Sequence, residues 1–460
     1  MEILKAKLES FIPMLMKAQE IWIVGGAIRD VLLGLPVKDF DFVIKDQASE
    51  FARWFANKIK GTFVLLDAKN DEARVVYKSY KSQVTSHKKE YMTHDSRLTT
   101  HNLCFDFTHI ESIKEDLARR DFRINAIACK LPEFQIFDPF YGRKDIESKR
   151  ISMISLSPII EDPLRILRGF RFRATLGFKI TPNTLCALSN NKDLLSKVAG
   201  ERIREELFTL LSSQHSYWTL RQMARIGVLQ VIIPETIAME KVPQGKPGGN
   251  LLYHSLLTVK KIEDSRLTIH DSRLTILKLA GLLHDIGKPY CYSEENGKVH
   301  FYGHEKKGVE LLSRIRERLR LSNNEFRIIR TLIQYHMRPH LLARERNLTE
   351  HAIFRLVRDV KKLTPDIFLL AYADALASGP RGEKRLLALA KRGIKMWEEF
   401  KQPKFKRLIT GNDLIKLGLK PGPRFKEILQ AVEEAQISGE LRTFKEALRF
   451  VKRNLTYNEK

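Results

Sequence analysis

The chain has 460 residues, with 80 Lys+Arg against 55 Asp+Glu and a formal net charge of +25. That length predicts several domains. The charge favours a polyanionic partner, nucleic acid ahead of a membrane surface, because no apolar run reaches bilayer-spanning length. The four scattered cysteines, Cys104, Cys129, Cys186 and Cys291, form no CxxC pair and fit a reduced, cytoplasmic compartment.

The N-terminal stretch MEILKAKLESFIPML predicts a charged amphipathic helix, not a signal peptide. Ile21–Val24 is a short apolar run and reads as a buried strand. Gly25 and Gly26 then allow a tight turn and a close approach of backbone to a ligand. Ala27–Leu33 has helical character and carries Arg29 and Asp30. A glycine turn feeding a helix N-terminus presents free N–H groups that suit phosphate. A second strand follows at Asp39–Ile44, DFDFVI. Its alternation puts Asp39 and Asp41 on one face and Phe40 and Phe42 on the other. Paired carboxylates repel unless a cation sits between them. The plain reading is a solvated strand face; the functional one is a pair of divalent metals bridging nucleotide phosphates. GGAIRD followed by DFD resembles the nucleotidyltransferase superfamily that includes DNA polymerase β. Within it, the pattern is similar to class II tRNA nucleotidyltransferases (CCA-adding enzymes) and bacterial poly(A) polymerases. The resemblance implies Mg²⁺ on catalytic Asp39 and Asp41, with Gly25, Gly26 and Arg29 holding the triphosphate.

Gln47–Lys58 predicts a helix, and Phe63–Leu66 and Ala73–Tyr77 predict strands. The segment Asp95–Thr99 (DSRLT) recurs at Asp264–Thr268 and Asp271–Thr275. These copies read as short repetitive elements inserted into loops, where extra length is tolerated. His94-Asp95 and His270-Asp271 are then decoys for a metal motif. Phe105-Asp106-Phe107 alternates like a strand, and Asp106 reads either as a third metal carboxylate or as an exposed strand-edge residue. Asp116–Lys130, DLARRDFRINAIACK, predicts a helix-forming segment with a break near Asp121. Its crowded Arg119, Arg120 and Arg123 suit phosphate; otherwise they form a basic helix face. The stretch resembles the family's RRDFxxNA motif on Arg119, Arg120, Asp121, Phe122, Asn125 and Ala126. That implies ribose and triphosphate contacts from Arg120, Asp121 and Asn125. Asp138–Asp145 is similar to the family's DPxxGxxD turn.

In EDPLRILRGFRFR, Asp162 before Pro163 predicts a helix N-cap. Asp162, Arg165 and Arg168 recur every three residues and so share a helix side. The stretch is similar to the family's EDxxR motif, which implies that Asp162 and Arg165 read the Watson–Crick edge of the incoming base in place of a template. Gly200–Leu207 resembles a following structural motif. After a turn-rich linker, Pro243–Asn250, come His254, His284-Asp285, His304, His336 and Asp374. Imidazole and carboxylate together suit a divalent transition metal. The ordered set resembles the HD phosphohydrolase superfamily and implies a divalent metal of unknown identity. Leu408–Pro423 resembles the family's C-terminal segment, where Lys420 and Arg424 would touch tRNA.

These readings predict an α/β (α+β) polymerase-β-like nucleotidyltransferase head at residues 1–145. All-α segments follow: a neck at 146–240, an HD domain at 250–395 and an RNA-binding tail at 404–460. The expected activity is CCA addition to tRNA from CTP and ATP, full or confined to CC or A. The alternatives are poly(A) addition and an HD phosphohydrolase with a degenerate head. No membrane contact is expected, and nothing in the sequence calls for an obligate protein partner.

Overall fold

The alternation of DFDFVI becomes the centre of a seven-stranded sheet in the order β3-β4-β5-β2-β1-β6-β7. Its strands are β1 (Ile21–Val24), β2 (Asp39–Ile44), β3 (Thr62–Asp67), β4 (Glu72–Tyr80), β5 (Thr100–His109), β6 (Ala128–Lys130) and β7 (Gln135–Phe137). Only β2 and β5 run parallel; the other pairs are antiparallel. The structure, a computed structural model, describes residues 1–80, 100–244, 249–265, 271–379, 383–401, 407–419, 421–437 and 440–456.

One sheet face is aromatic. Phe42 stacks on Phe107 at 5.2 Å and Phe40 on Phe105 at 5.6 Å, and the helix Ala48–Ile59 covers them with Phe51 and Phe55. Phe40, Phe42, Phe105 and Phe107 are almost fully buried, a contribution of about 1.5–3 kcal/mol each. Because strand side chains alternate, burying these rings sends Asp39, Asp41, Cys104 and Asp106 to the opposite face.

Two expectations need correction here. The stretch after Arg120 is not helical. A helix spans Ile113–Ala118, a single 3-10 turn spans Arg123–Asn125, and Ala128–Lys130 is β6, paired with β1. Asp121 causes the break: its Oδ1 accepts from Phe122 N at 2.8 Å and Asn125 Nδ2 at 2.9 Å, replacing helical hydrogen bonds. The third DSRLT copy is not a loop either, since Asp271–Leu283 is one helix that begins with it. Its Arg273 pairs with buried Asp366, which fixes that turn. Asp95–Thr99, His94, His270, Lys420 and most of the second copy lie outside the described residues.

The chain divides into two compact units, Met1–Val198 and Ala199–Lys460. The expected four-domain bounds are finer than this division, and that partition is a proposal. The second unit is almost entirely helical, with helices Leu251–Asp264, Asp271–Leu283 and Thr364–Ser378 packed on one another. In the tail, Ile409, Leu414, Val432, Ala447 and Val451 form a separate small core. No helix among the described residues is long and apolar enough to cross a membrane.

Candidate functional site

In the first unit, β2 lies between β1 and β5, so Asp41 stands in register with Val24 on one side and Asp106 on the other. Asp39 is exposed and Asp41 half-buried. Burial pushes the Asp41 carboxyl above the usual carboxylate range; Arg120 opposes this, while Asp106 and Asp39 add like charge. A bound cation would relieve that frustration, so the donor set fits a divalent metal.

The glycine turn belongs to the same place. Gly25 has φ +72°, and a Cβ there would lie 2.5 Å from Arg120 Nη1 and 3.2 Å from Asp41 Oδ2. Gly25, Arg120 and Asp41 therefore converge on one point. Arg120 is aimed by Asp116, whose Oδ2 accepts from its Nε at 3.0 Å and which is only 5% exposed. Gly26 opens the helix Gly26–Leu32, from which Arg29 projects. Arg29 donates to Asn125 Oδ1 at 2.7 Å and lies 5.0 Å from the Phe172 ring centroid. Asn125 donates to Asp121, and Asp121 pairs at 2.8 Å with Arg168 Nε. A relay Arg29–Asn125–Asp121–Arg168 thus ties the glycine turn to the helix Leu164–Leu176.

Asp106 corrects an expectation. It sits on an interior strand, not an edge, and Arg74 grips it with two bonds, Nε–Oδ1 at 2.7 Å and Nη2–Oδ2 at 2.8 Å. That pairing raises the Arg74 pKa. Sequence reasoning missed both Arg74 and Asp116. Arg74 carried a weak signal, being an arginine at a strand position.

The residues expected to select the base are placed less uniformly. Asp162 is not the N-cap: Pro163 is, with Asp162 in extended backbone accepting from Leu164 N at 3.4 Å. Arg165 Nη1 donates to the carbonyls of Arg119 at 2.9 Å and Pro158 at 3.1 Å. Arg168 turns instead to Asp121. The three residues are therefore near one helix start but have different partners.

The second unit holds a denser centre. His254 comes from the helix Leu251–Asp264, whose start is capped by Asn250 Oδ1 accepting from Tyr253 N at 2.8 Å. His284 and Asp285 follow the helix Asp271–Leu283, His304 opens the helix His304–Leu319, His336 follows Asn323–Tyr335, and Asp374 lies in Thr364–Ser378. Gly287 permits the approach, because a Cβ there would be 2.1 Å from the His304 carbonyl oxygen. His254, His284 and Asp285 offer ligand atoms within 4.8 Å of one another, as do Asp285, His304 and His336. His254 Nε2, His284 Nε2 and Asp285 Oδ1 are buried without hydrogen bonds. Yet His254 Nε2 lies 2.9 Å from Asp374 Oδ1, and His284 Nε2 lies 3.0 Å from Asp285 Oδ2. Convergent, unsatisfied nitrogen and oxygen donors fit a divalent metal. Burial disfavours charge on His284, but Asp285 and Asp374 push its pKa up to about 10. Burial opposes charge on Asp285, but His284, Lys288 and His304 hold it well below the carboxylate range. Two further residues escaped sequence reasoning. Lys288 Nζ lies 2.7 Å from Asp285, and His340 Nε2 lies 2.9 Å from Asp374 Oδ2. The His336-x3-His340 spacing was the available signal.

Comparison with known proteins follows the same order along the chain. The Poly A polymerase head domain profile matches residues 21–152, the HD domain profile 251–379, and the profile of tRNA nucleotidyltransferase domain 2 residues 387–451. The chain is 30% identical over 453 residues to an A-adding tRNA nucleotidyltransferase of Deinococcus radiodurans, covering 94% of each chain. It is 31% identical over 444 residues to a CC-adding tRNA nucleotidyltransferase of Thermus thermophilus, covering 93% of this chain and 92% of that one. Among solved structures, the Thermotoga maritima CCA-adding enzyme complexed with tRNA has a similar fold, with a TM-score of 0.64 at 24% identity over 95% of this chain and 91% of that one. A CCA-adding enzyme with CTP gives 0.66 at 23% identity over the same shares, 95% and 91%.

Proposed function

The chain belongs to the tRNA nucleotidyltransferase family, and from that premise we propose that it builds the 3′-terminal CCA of tRNA from CTP and ATP, with the chemistry in the Met1–Val198 unit. The relatives' names, A-adding and CC-adding, favour this over poly(A) addition and over a phosphohydrolase with a degenerate head. One observation carries the assignment to residues: Asp41, Arg120 and the Cβ-less Gly25 meet at a single point.

The RNA 3′-hydroxyl oxygen attacks the α-phosphorus in line, the bond to the β-phosphate oxygen breaks, and pyrophosphate leaves. A divalent metal such as Mg²⁺ on Asp39 and Asp41 would neutralise phosphate charge and acidify that hydroxyl. Arg120, aimed by Asp116, meets the triphosphate, and the missing side chain of Gly25 leaves room for a phosphate oxygen. Arg29, held by Asn125, adds a second cation from the helix after the turn. Asp121 anchors both Asn125 and Arg168 and so keeps the nucleotide pocket in one shape. Asp162 and Arg165 select the base. Positioning and charge neutralisation are the main catalytic effects.

How many nucleotides are added is a finer matter. In full CCA-adding relatives, a flexible segment before the RRDF motif would act as a lever between C and A. Here β5 ends at His109 and the next helix starts at Ile113, so only Ile110-Glu111-Ser112 connect them. That short link favours a CC-adding variant as the second reading, with full CCA addition first. Purified protein is given tRNAs ending before CCA, after C and after CC, with CTP and ATP supplied separately. ATP incorporation onto the CC-ending tRNA supports the first reading; its loss with retained CTP addition supports the second.

In the second unit, His254, His284, Asp285, His304, His336 and Asp374 would hold a divalent metal of unassigned identity. That centre would support phosphoester hydrolysis, as a phosphatase or cyclic phosphodiesterase.

A further inference from the structure

Two neighbouring helices of the second unit place aromatic rings and cations side by side. The helix Ser216–Arg225 packs on Leu251–Asp264. Its Tyr217 is 2% exposed and supplies the packing, whereas Trp218 beside it is 48% exposed. Trp218 meets Tyr217 with centroids 4.9 Å apart and planes at 62°. That contact sets the angle of the indole and leaves about half of it open. Tyr253, on the other helix, is 39% exposed. A ring buried at one end and wet at the other contributes less to folding than a core ring, and such rings mark interaction surfaces.

Cations are interleaved with these rings. Arg221 lies 5.6 Å from the Trp218 centroid and 5.7 Å from that of Tyr253, so it bridges the two helices. Lys260 lies 5.6 Å from Trp218 and 5.5 Å from Tyr217. Arg225, one turn beyond Arg221, is exposed and continues the basic row. The nearby acid Glu263 is turned inward: it accepts from Tyr217 N at 3.1 Å and lies 3.5 Å from buried Lys278. Asp264 is exposed one turn past Lys260 and offsets part of the charge. Arg221, Arg225 and Lys260 outnumber it, so the face is cationic as well as aromatic, on a chain of net charge +25. A nucleotide carries the matching pair within one residue, a flat apolar ring beside an anion. An acidic protein segment or an anionic membrane supplies the anion without the flat ring.

We propose that Trp218, flanked by Arg221 and Lys260, is an RNA-stacking site: an unpaired base lies on the indole while the flanking phosphates meet the two cations. The guanidinium of Arg221 suits this place, because it stacks on ring faces and binds phosphate with the same plane. Trp218, Arg221 and Lys260 lie wholly on the second unit and belong neither to the Gly25–Asp41–Arg120 site nor to the His/Asp centre. The proposed function supplies the RNA, the substrate tRNA; the inference rests on that reading for the RNA's identity and not for the stacking itself.

The full-length protein is titrated, without CTP or ATP, into two fluorescent probes: a single-stranded RNA of about 12 nucleotides and a blunt RNA duplex of the same total charge. Trp218→Ala should weaken single-strand binding about ten-fold and leave duplex binding within about two-fold of wild type. Trp218→Phe keeps a ring and should restore most of the affinity. The Arg221→Gln/Lys260→Gln double variant should flatten the slope of log Kd against log salt by about 1.4, for two lost phosphate contacts. Urea unfolding midpoints should match wild type in all three variants, which separates recognition from structural support. In nucleotide addition, Trp218→Ala should raise KM for tRNA and leave KM for CTP unchanged. Unchanged single-strand affinity in Trp218→Ala overturns the inference and leaves the face to a protein partner. An equal loss on the duplex overturns it too, because that would mark a backbone contact without stacking. A wild type that binds the single strand through Trp218 yet adds no nucleotide to tRNA overturns the proposed function and leaves the stacking site standing.

Discussion

Asp41 is a carboxylate in a setting that disfavours its charge: partly buried, with Asp39 and Asp106 on the same sheet face. Such a group earns its place only with a cation opposite it. Asp39→Ala or Asp41→Ala should abolish nucleotide addition while leaving tRNA binding largely intact, read by filter binding beside the addition assay. Near wild-type addition by either variant refutes the assignment. Gly25 makes a sharper case. Gly25→Ala puts a methyl group 2.5 Å from Arg120 Nη1 at a φ of +72°, so both the backbone and the arginine must move. The expected result is a loss of kcat/KM for NTP without a change in tRNA affinity; unchanged kinetics would show that Arg120 is not on the phosphate path. Arg165 separates two roles. If it reads the base edge, Arg165→Ala relaxes selection among CTP, ATP, GTP and UTP by about 1–3 kcal/mol, by analogy with nucleic-acid readout. If it only ties Arg119 and Pro158 carbonyls to its helix, selectivity stays and stability falls.

At the scale of elements, the structure is legible in sequence wherever local periodicity and burial agree. DFDFVI could be read because period-two alternation and a phenylalanine-rich core say the same thing. In the RRDF stretch the break near Asp121 was legible, but the residues after it were misread as helix-forming because their apolar spacing allowed a helix, while the deciding interaction was a side chain, Asp121, claiming two donors. The DSRLT repeat misled for a related reason: identical pentapeptides carry no memory of context, and Arg273 finds Asp366 only in the folded unit. Arg74 and His340 gave only weak signals and Lys278 none, because their partners are distant in sequence. Lys278 is the extreme example. It is 1% exposed in the helix Asp271–Leu283, donates to the Ser213 carbonyl at 2.6 Å and lies 3.5 Å from Glu263, and burial lowers its pKa. Glu263 also accepts from Ser216 and from Tyr217 N. Removing one partner leaves a buried charge, so Lys278→Met should cost about 3–5 kcal/mol in urea unfolding. The Lys278→Met/Glu263→Gln double variant should recover much of it. With Glu263→Gln measured alone as well, a double-variant loss equal to the sum of the two single losses would mean the pair does not interact.

For the whole molecule, the decisive property is division. The Met1–Val198 unit carries the Gly25–Asp41–Arg120 site on its own sheet, and the Ala199–Lys460 unit carries the His/Asp centre among its own helices. Each has a core of its own, so loss of chemistry in one does not require loss of fold in the other. A metal held by His254, His284 and Asp285 should therefore be removable without cost to nucleotide addition. The His284→Ala/Asp285→Ala double variant deletes two donors of one cluster and the residue shared by both. It should lose bound transition metal, measured by elemental analysis of protein purified without chelator, and any phosphohydrolase activity. It should retain CTP and ATP incorporation within about two-fold of wild type, because the head residues keep their partners and sites that share no partner contribute additively. Two outcomes would break this reading in different places. Wild-type protein without bound metal and without hydrolysis would make the His/Asp cluster a buried ion-pair network whose role is structural. Loss of nucleotide addition in a variant that is still folded would mean that the second unit's centre is coupled to the first unit's chemistry, and the division into independent activities would have to be abandoned.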